Sequence, residues 1–248
     1  LFPQFGKKVG GAQRWLHFGN FSFQPSELAK LTMILYVVHS LVKKQDRIKD
    51  FFYGYLPNMV VLGFFSILFL FQPDMGTAAI LITVVFILFF IAGIKFSHLF
   101  YSVMILLPAM CAAVLNSEYQ RNRIISFLDP EKDPFGKGYQ IIQSFLAFGR
   151  GNVFGMGLGD GKQKLFFLPE PHTDFIFSII GEELGFAGTV AVVVLFLVII
   201  WRGIHTALKS PDLYGTYLSL GLTSLIGVQA LVNLAVSVGL LPTKGLTL

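Results

Sequence analysis

Leu56–Phe71, LPNMVVLGFFSILFLF, is followed by Gln72-Pro73-Asp74-Met75-Gly76 and then by residues 77–92, TAAILITVVFILFFIA. Each apolar run has 16 residues, close to the ~20 helical residues that cross about 30 Å of hydrocarbon. The five residues between them are too few for a domain, and Pro, Asp and Gly are turn formers. The reading is a hairpin of two membrane-spanning helices.

The composition agrees. Hydrophobic residues make up 54% of the 248 and charged residues 13%, against about 25% charged in soluble globular chains. Mean hydropathy is +0.68. The one cysteine, Cys111, lies in an apolar run, so no internal disulfide forms and it reads as a small lipid- or helix-facing residue. No soluble domain, internal repeat, signal peptide, HExxH or Cys/His metal spacing is seen, and no nucleic-acid partner is expected. The chain opens on Leu1 and ends at Leu248 shortly after Lys244. It is expected to be an internal piece of a longer membrane protein.

Outward from the hairpin, further runs cover 25–42, 98–115, 188–201 and 214–238. The expected fold is therefore all-α, a polytopic helical membrane protein with about six spans. The opening residues to Pro25 read as a loop, with Gly10 and Gly11 for a tight turn. Arg14 stands beside Trp15 there, either at an interface anchor or in an ordered turn facing substrate. Pro25-Ser26-Glu27 reads as a helix start, with acidic Glu27 at the positive end of the dipole. Glu27 and Lys30 are three apart and share a face, as a local ion pair or as site residues.

The loop Lys43–Asp50, KKQDRIKD, and the turn at Lys95 carry cations, while QPDMG carries none. The positive-inside rule places the first two in the cytoplasm and QPDMG outside. Alternation then puts 116–173 outside as a large extracytoplasmic loop, in a chain otherwise read as one transmembrane domain over 1–248. That loop is basic, which suits an anionic ligand at the outer surface. Within it, 138–150 (GYQIIQSFLAFGR) reads as an amphipathic surface helix. Ile141, Ile142, Phe145, Leu146 and Phe148 lie on the membrane in that reading, while Gln140, Gln143 and Ser144 face elsewhere. The Gly-rich stretch after it matches neither dinucleotide nor P-loop patterns and reads as a flexible or tightly turned loop.

The segment Leu168–Gly185, LPEPHTDFIFSIIGEELG, sets Glu170, His172, Asp174, Glu182 and Glu183 against the edge of a span. Charge there is costly without work or a partner. The topology gathers Arg14, Glu27, Lys30, Asp74, Lys164, Glu170, His172, Asp174, Glu182, Glu183 and Lys244 on one side. A carboxylate among several cations suits group transfer on a phosphate-bearing lipid: the cations neutralise a leaving pyrophosphate and the carboxylate takes a proton. His172 has a structural alternative, and Glu182 and Glu183 read as caps or ion pairs. Asp174 stands out because Thr173 already offers a neutral cap.

GAQRW, QPSELAK, QPDMGTA, DPxxDPFGxGYQ, AFGRG, LPEPHTDFIFSIIGEELG and LPTKGLTL together resemble the SEDS family (shape, elongation, division and sporulation), in order and over nearly the whole chain. The last two motifs favour its cell-division branch over the elongation branch. The resemblance implies a full fold of about ten spans, of which this chain corresponds to the fourth through ninth. It implies a peptidoglycan glycosyltransferase that polymerises lipid II, undecaprenyl-pyrophosphate disaccharide-peptide, at the division septum of the bacterial inner membrane. It also implies a class B penicillin-binding protein transpeptidase and other divisome membrane proteins as partners. The family's essential acid falls on Asp174, and the acid and lysine of its fourth span on Glu27 and Lys30. A second loop carboxylate of some division members falls on Phe166, leaving Glu170 as the candidate. Arg14, Lys30, Lys164 or Lys244 balance the pyrophosphate, with His172 in the substrate-binding set. The resemblance fixes no cofactor; a divalent cation, Mg or Mn, is the candidate. The rival functions are a lipid II flippase and a non-catalytic scaffold.

Overall fold

A computed structural model gives the fold over residues 6–9, 12–18, 21–72, 74–130, 138–161 and 175–242, with side chains described from Phe23 onward. All six expected spans are helices: α1 Pro25–Lys43, α2 Leu56–Phe71, α3 Met75–Ile91, α4 Phe96–Asn116, α7 Ile176–Leu208 and α8 Leu213–Ser237. Two more, α5 Glu118–Leu128 and α6 Tyr139–Gly151, lie between α4 and α7. Among the described residues, four helical stretches are long and apolar enough to cross a membrane: Phe51–Phe71, α4, α7 and α8. The shorter α3 is also apolar.

The opening residues depart from the expected loop. They form three antiparallel strands in order, β1 Gly6–Val9, β2 Ala12–Phe18 and β3 Phe21–Phe23. Lys7 pairs with Trp15 and Lys8 with Gln13, so Arg14 is an extra residue in β2, a bulge. Alternation there is interrupted by Gly10 and Gly11 and gives a weak strand pattern.

The chain divides into two compact units. One spans Leu1–Tyr101 with Arg202–Ile226. Its core is α1 and α3: Met33, Ile34, Val37, Val38, Leu81, Val84, Val85 and Leu88 are wholly buried. Gly221 lets α8 approach closely, since a methyl there would meet Ile34 and Leu88. In lipid such contacts hold by dispersion and close fit, because the surrounding tails are as apolar as the side chains. Asp74, read among the outer polar groups, caps α3. Its carboxylate accepts from the Thr77 amide at 3.2 Å and the Thr77 hydroxyl at 2.8 Å.

The second unit spans Ser102–Trp201 with Gly227–Leu248. The span expected at 188–201 belongs to α7, which runs through residues 176–208 and breaks once. Gly185 has φ 67° and ψ −163°, a conformation essentially confined to glycine. An unbroken helix would bond Phe186 N–H to Glu182 O and Ala187 N–H to Glu183 O. Here the Gly-rich loop supplies all four partners. Met156 N–H donates to Glu182 O at 3.0 Å and Gly157 N–H to Glu183 O at 3.1 Å. Phe186 N–H donates to Asn152 O at 2.9 Å and Ala187 N–H to Val153 O at 3.1 Å. The stretch read as flexible or tightly turned is thus a splint.

Gly155, at φ +80°, lies so close to the Glu183 carbonyl that no Cβ fits. Gly155→Ala is therefore expected to cost about 2 kcal/mol or more through backbone strain and lost splint bonds. Gly63→Ala in α2 meets open space and should hold or slightly raise stability. Thermal unfolding of the two variants in detergent checks the contrast.

Candidate active site

α1 starts where Pro25 pre-sets a helical φ and Gln24 O accepts the Glu27 amide at 3.1 Å. One turn in, Lys30 is fully buried and its Nζ donates to Glu27 Oε1 at 2.8 Å, while the Glu27 side chain is 40% exposed. The pair is a buried cation whose counter-charge reaches the open surface. β2, the strand that carries Arg14, packs against α1. Of the expected site residues, Glu27 and Lys30 are thus seen together and Arg14 lies on a neighbouring strand. Asp174, Lys164, Glu170, His172 and Lys244 lie outside the described residues.

The segment just after Asp174 is described, and it is held firmly. Phe175 is fully buried and Phe177 nearly so. Ser144 Oγ of α6 donates to Ser237 O at 2.6 Å. A hydroxyl has one hydrogen, so Ser178 Oγ, also in contact with Ser144 Oγ, donates to it. This buried chain ties α6, α7 and the end of α8 together. Ser144, expected to face away from the membrane-lying side, packs inward with Ala147 and Gly151. Ile141, expected on the membrane, is buried with them because it lies three residues before Ser144 on the same face, while Phe145 and Leu146 stay exposed. Small hydroxyls that satisfy one another permit this close approach.

Glu182, read as a cap or ion-pair residue, is fully buried, with its Oε1 4.0 Å from Arg150 Nη1. Arg150 is a residue that spacing alone does not connect to Glu182; the two meet because α6 turns back through the splint. Among the described residues no three His, Cys, Asp or Glu side chains converge on a metal position.

The second unit also holds a groove of about 700 Å³, lined by Phe148, Phe177, Val190, Val194, Leu231 and Val238 among other residues. None of its lining residues is titratable, so it suits hydrocarbon and not a pyrophosphate.

Ser144→Ala leaves the Ser178 hydroxyl and the Ser237 carbonyl without this partner. A loss of about 1–3 kcal/mol is expected, read as a lower midpoint in thermal unfolding. Gly149→Ala, at an open position of the same helix, is the control and should show no loss.

Residues 1–248 match the family of cell cycle proteins that comprises FtsW, RodA and SpoVE. The probable peptidoglycan glycosyltransferase FtsW of Geobacter sp. (strain M18) is 47% identical over 246 residues, 99% of this chain and 67% of that protein. The protein of the same name from Geobacter metallireducens is 46% identical, over 100% of this chain and 66% of its own. Stage V sporulation protein E of Bacillus subtilis is 42% identical, over 100% of this chain and 68% of that protein. The chain thus spans about two thirds of the length of the curated relatives it matches.

Among solved structures, one that addresses polymerization and crosslinking by a peptidoglycan synthase complex superposes with a TM-score of 0.77 at 33% identity. It covers 98% of this chain and 68% of that one. The rod shape determining protein RodA of Thermus thermophilus superposes with a TM-score of 0.65 at 29% identity, over 98% of this chain and 62% of that one. The higher identity to the FtsW proteins agrees with the motifs that favoured the division branch. This membrane chain belongs to the FtsW, RodA and SpoVE family of cell cycle proteins.

Proposed function

We propose that the protein is a peptidoglycan glycosyltransferase that polymerises lipid II during septal wall synthesis. The observation that carries the reading is the buried Lys30, held by Glu27 at the head of α1, in a chain whose relatives are named peptidoglycan glycosyltransferases. A lysine buried at the end of a span serves an anion or a path.

In this reading Asp174 is the general base. It takes the proton from the 4-hydroxyl of the acceptor sugar as that oxygen bonds to the anomeric carbon of the growing strand. The bond from that carbon to the pyrophosphate breaks in the same displacement, and undecaprenyl pyrophosphate leaves with the electron pair. An α-linked donor then gives a β-linked product. Lys30, Arg14, Lys164 and Lys244 balance the leaving charge, with Glu27 orienting Lys30, and Glu170 and His172 complete the substrate-binding set. A divalent cation is the other source of positive charge. The described residues offer it no cluster of three ligands, and no step here is routed through one. The large segment between α4 and α7 faces the extracytoplasmic side, and a class B penicillin-binding protein crosslinks the strand.

The burial of Lys30 also favours a second reading, a flippase, because charges inside spans mark translocation paths. Purified full-length protein given lipid II on the accessible face separates the two, since polymer formed there needs no flipping. Asp174→Ala should lower polymerisation by about 10²–10⁴-fold, read on gels of labelled lipid II. An unchanged rate would remove Asp174 from the mechanism, and no polymer from the unsubstituted protein would favour transport.

Lys30→Met replaces a buried cation by a side chain of similar length. Stability should stay within about 1 kcal/mol while polymerisation falls more than tenfold. Retention of both would remove Lys30 from the mechanism, and parallel loss of both would make the pair with Glu27 purely structural.

A further inference from the structure

We propose that Lys44 and Arg47, gathered at the Tyr53 ring in the turn between α1 and α2, form a docking site for the phosphate of an anionic phospholipid headgroup. Lys44 Nζ lies 5.4 Å from the centre of the Tyr53 ring, and the Arg47 guanidinium carbon lies 5.6 Å from it. One aromatic ring thus holds two cations at cation–π distance. Among the described residues neither cation is paired with a carboxylate. Two like charges gathered at one ring repel, and a bound anion relieves that repulsion.

The turn is built and not merely charged. Asp50 accepts from the Phe52 amide at 2.9 Å and the Tyr53 amide at 3.2 Å, which sets the wide helical turn Phe51–Tyr55. A methyl at Gly54 would lie 2.8 Å from Arg47 O and 2.6 Å from Ile48 O, so the backbone folds tightly back on itself there. Asn58 Nδ2 ties Gly54 O to α2 at 2.8 Å. The rings of Phe51 and Tyr55 pack 5.3 and 5.5 Å from the His98 ring.

The surroundings select a lipid. Phe52 is 75% exposed, and Phe51 and Tyr53 are exposed beside it. They head the apolar stretch Phe51–Phe71, long enough to span a membrane. Aromatic side chains at the end of a span sit at headgroup depth, so the two cations meet phosphate there with the acyl chains beside Phe52. A cation held against an anionic headgroup contributes roughly fivefold to its retention, and one held away from it contributes less.

The test is native mass spectrometry of the full chain released in mild detergent, with phosphatidylglycerol and phosphatidylethanolamine supplied equally. Retention of phosphatidylglycerol over phosphatidylethanolamine is expected, as is loss of about twenty-fivefold in the double variant Lys44→Gln/Arg47→Gln. The double variant Lys43→Gln/Lys49→Gln removes as much charge away from the ring and should change retention by less than about threefold. Tyr53→Leu keeps every charge and removes the ring. It should lower retention by about threefold or more, and it carries the test if the first double variant does not fold. Equal loss in both double variants, no preference over phosphatidylethanolamine, no effect of Tyr53→Leu, or displacement by millimolar inorganic phosphate would each overturn the proposal.

Discussion

A backbone amide that leaves its helix at a membrane must find another partner, because hydrocarbon offers none. The break at Gly185 is the place where this chain meets that constraint. Two helical bonds are given up, and four bonds to the loop at 152–157 replace them. The glycines of that loop follow from this requirement. At Gly155 the loop comes too near the broken helix for any side chain to stand between them. A stretch whose composition suggests looseness is therefore tied by four backbone bonds across the break in α7.

The same accounting applies to charge. Asp74 is buried, yet its two oxygens are engaged by Thr77 at the start of α3. The buried lysine of α1 keeps a carboxylate 2.8 Å away that itself reaches the open surface. Glu182, also buried, lies 4.0 Å from the Arg150 guanidinium. Caps, pairs and hydroxyl chains spare the fold the several kcal/mol that an unmet polar group costs in such surroundings. They also explain why small polar residues such as Ser144 and Ser178 appear inside helices that otherwise read as apolar.

Much of this was legible in the residues. The two runs beside QPDMG became α2 and α3 with ends shifted by no more than two residues, because a span must be long, apolar and bounded by turn formers. Pro25 and Glu27 marked the start of α1 for equally local reasons. The strands at 6–23 were not legible, since pairing across Gly10 and Gly11 depends on partners and not on a strong alternating pattern. Nor was α5, whose sequence EYQRNRIISFL is too polar to read as a span and too short to show a face clearly. For the site, spacing alone joined Glu27 to Lys30, three residues apart on one helix.

By itself the sequence determined the membrane-spanning runs, the family, and the one ion pair that helix geometry brings together, because hydropathy, motif order and the 3.6-residue period are local properties of the chain. Only the tertiary structure decided that a glycine-rich loop bridges a broken helix, that Ser144 faces inward to Ser178 and Ser237, that Arg150 approaches Glu182, and that Lys44 and Arg47 share the ring of Tyr53. The first three contacts join residues 26 or more positions apart in the chain, and the last depends on a tight turn whose shape is set by Asp50 and Gly54. Such meetings arise when helices pack and turns close, and no periodicity along the chain encodes them.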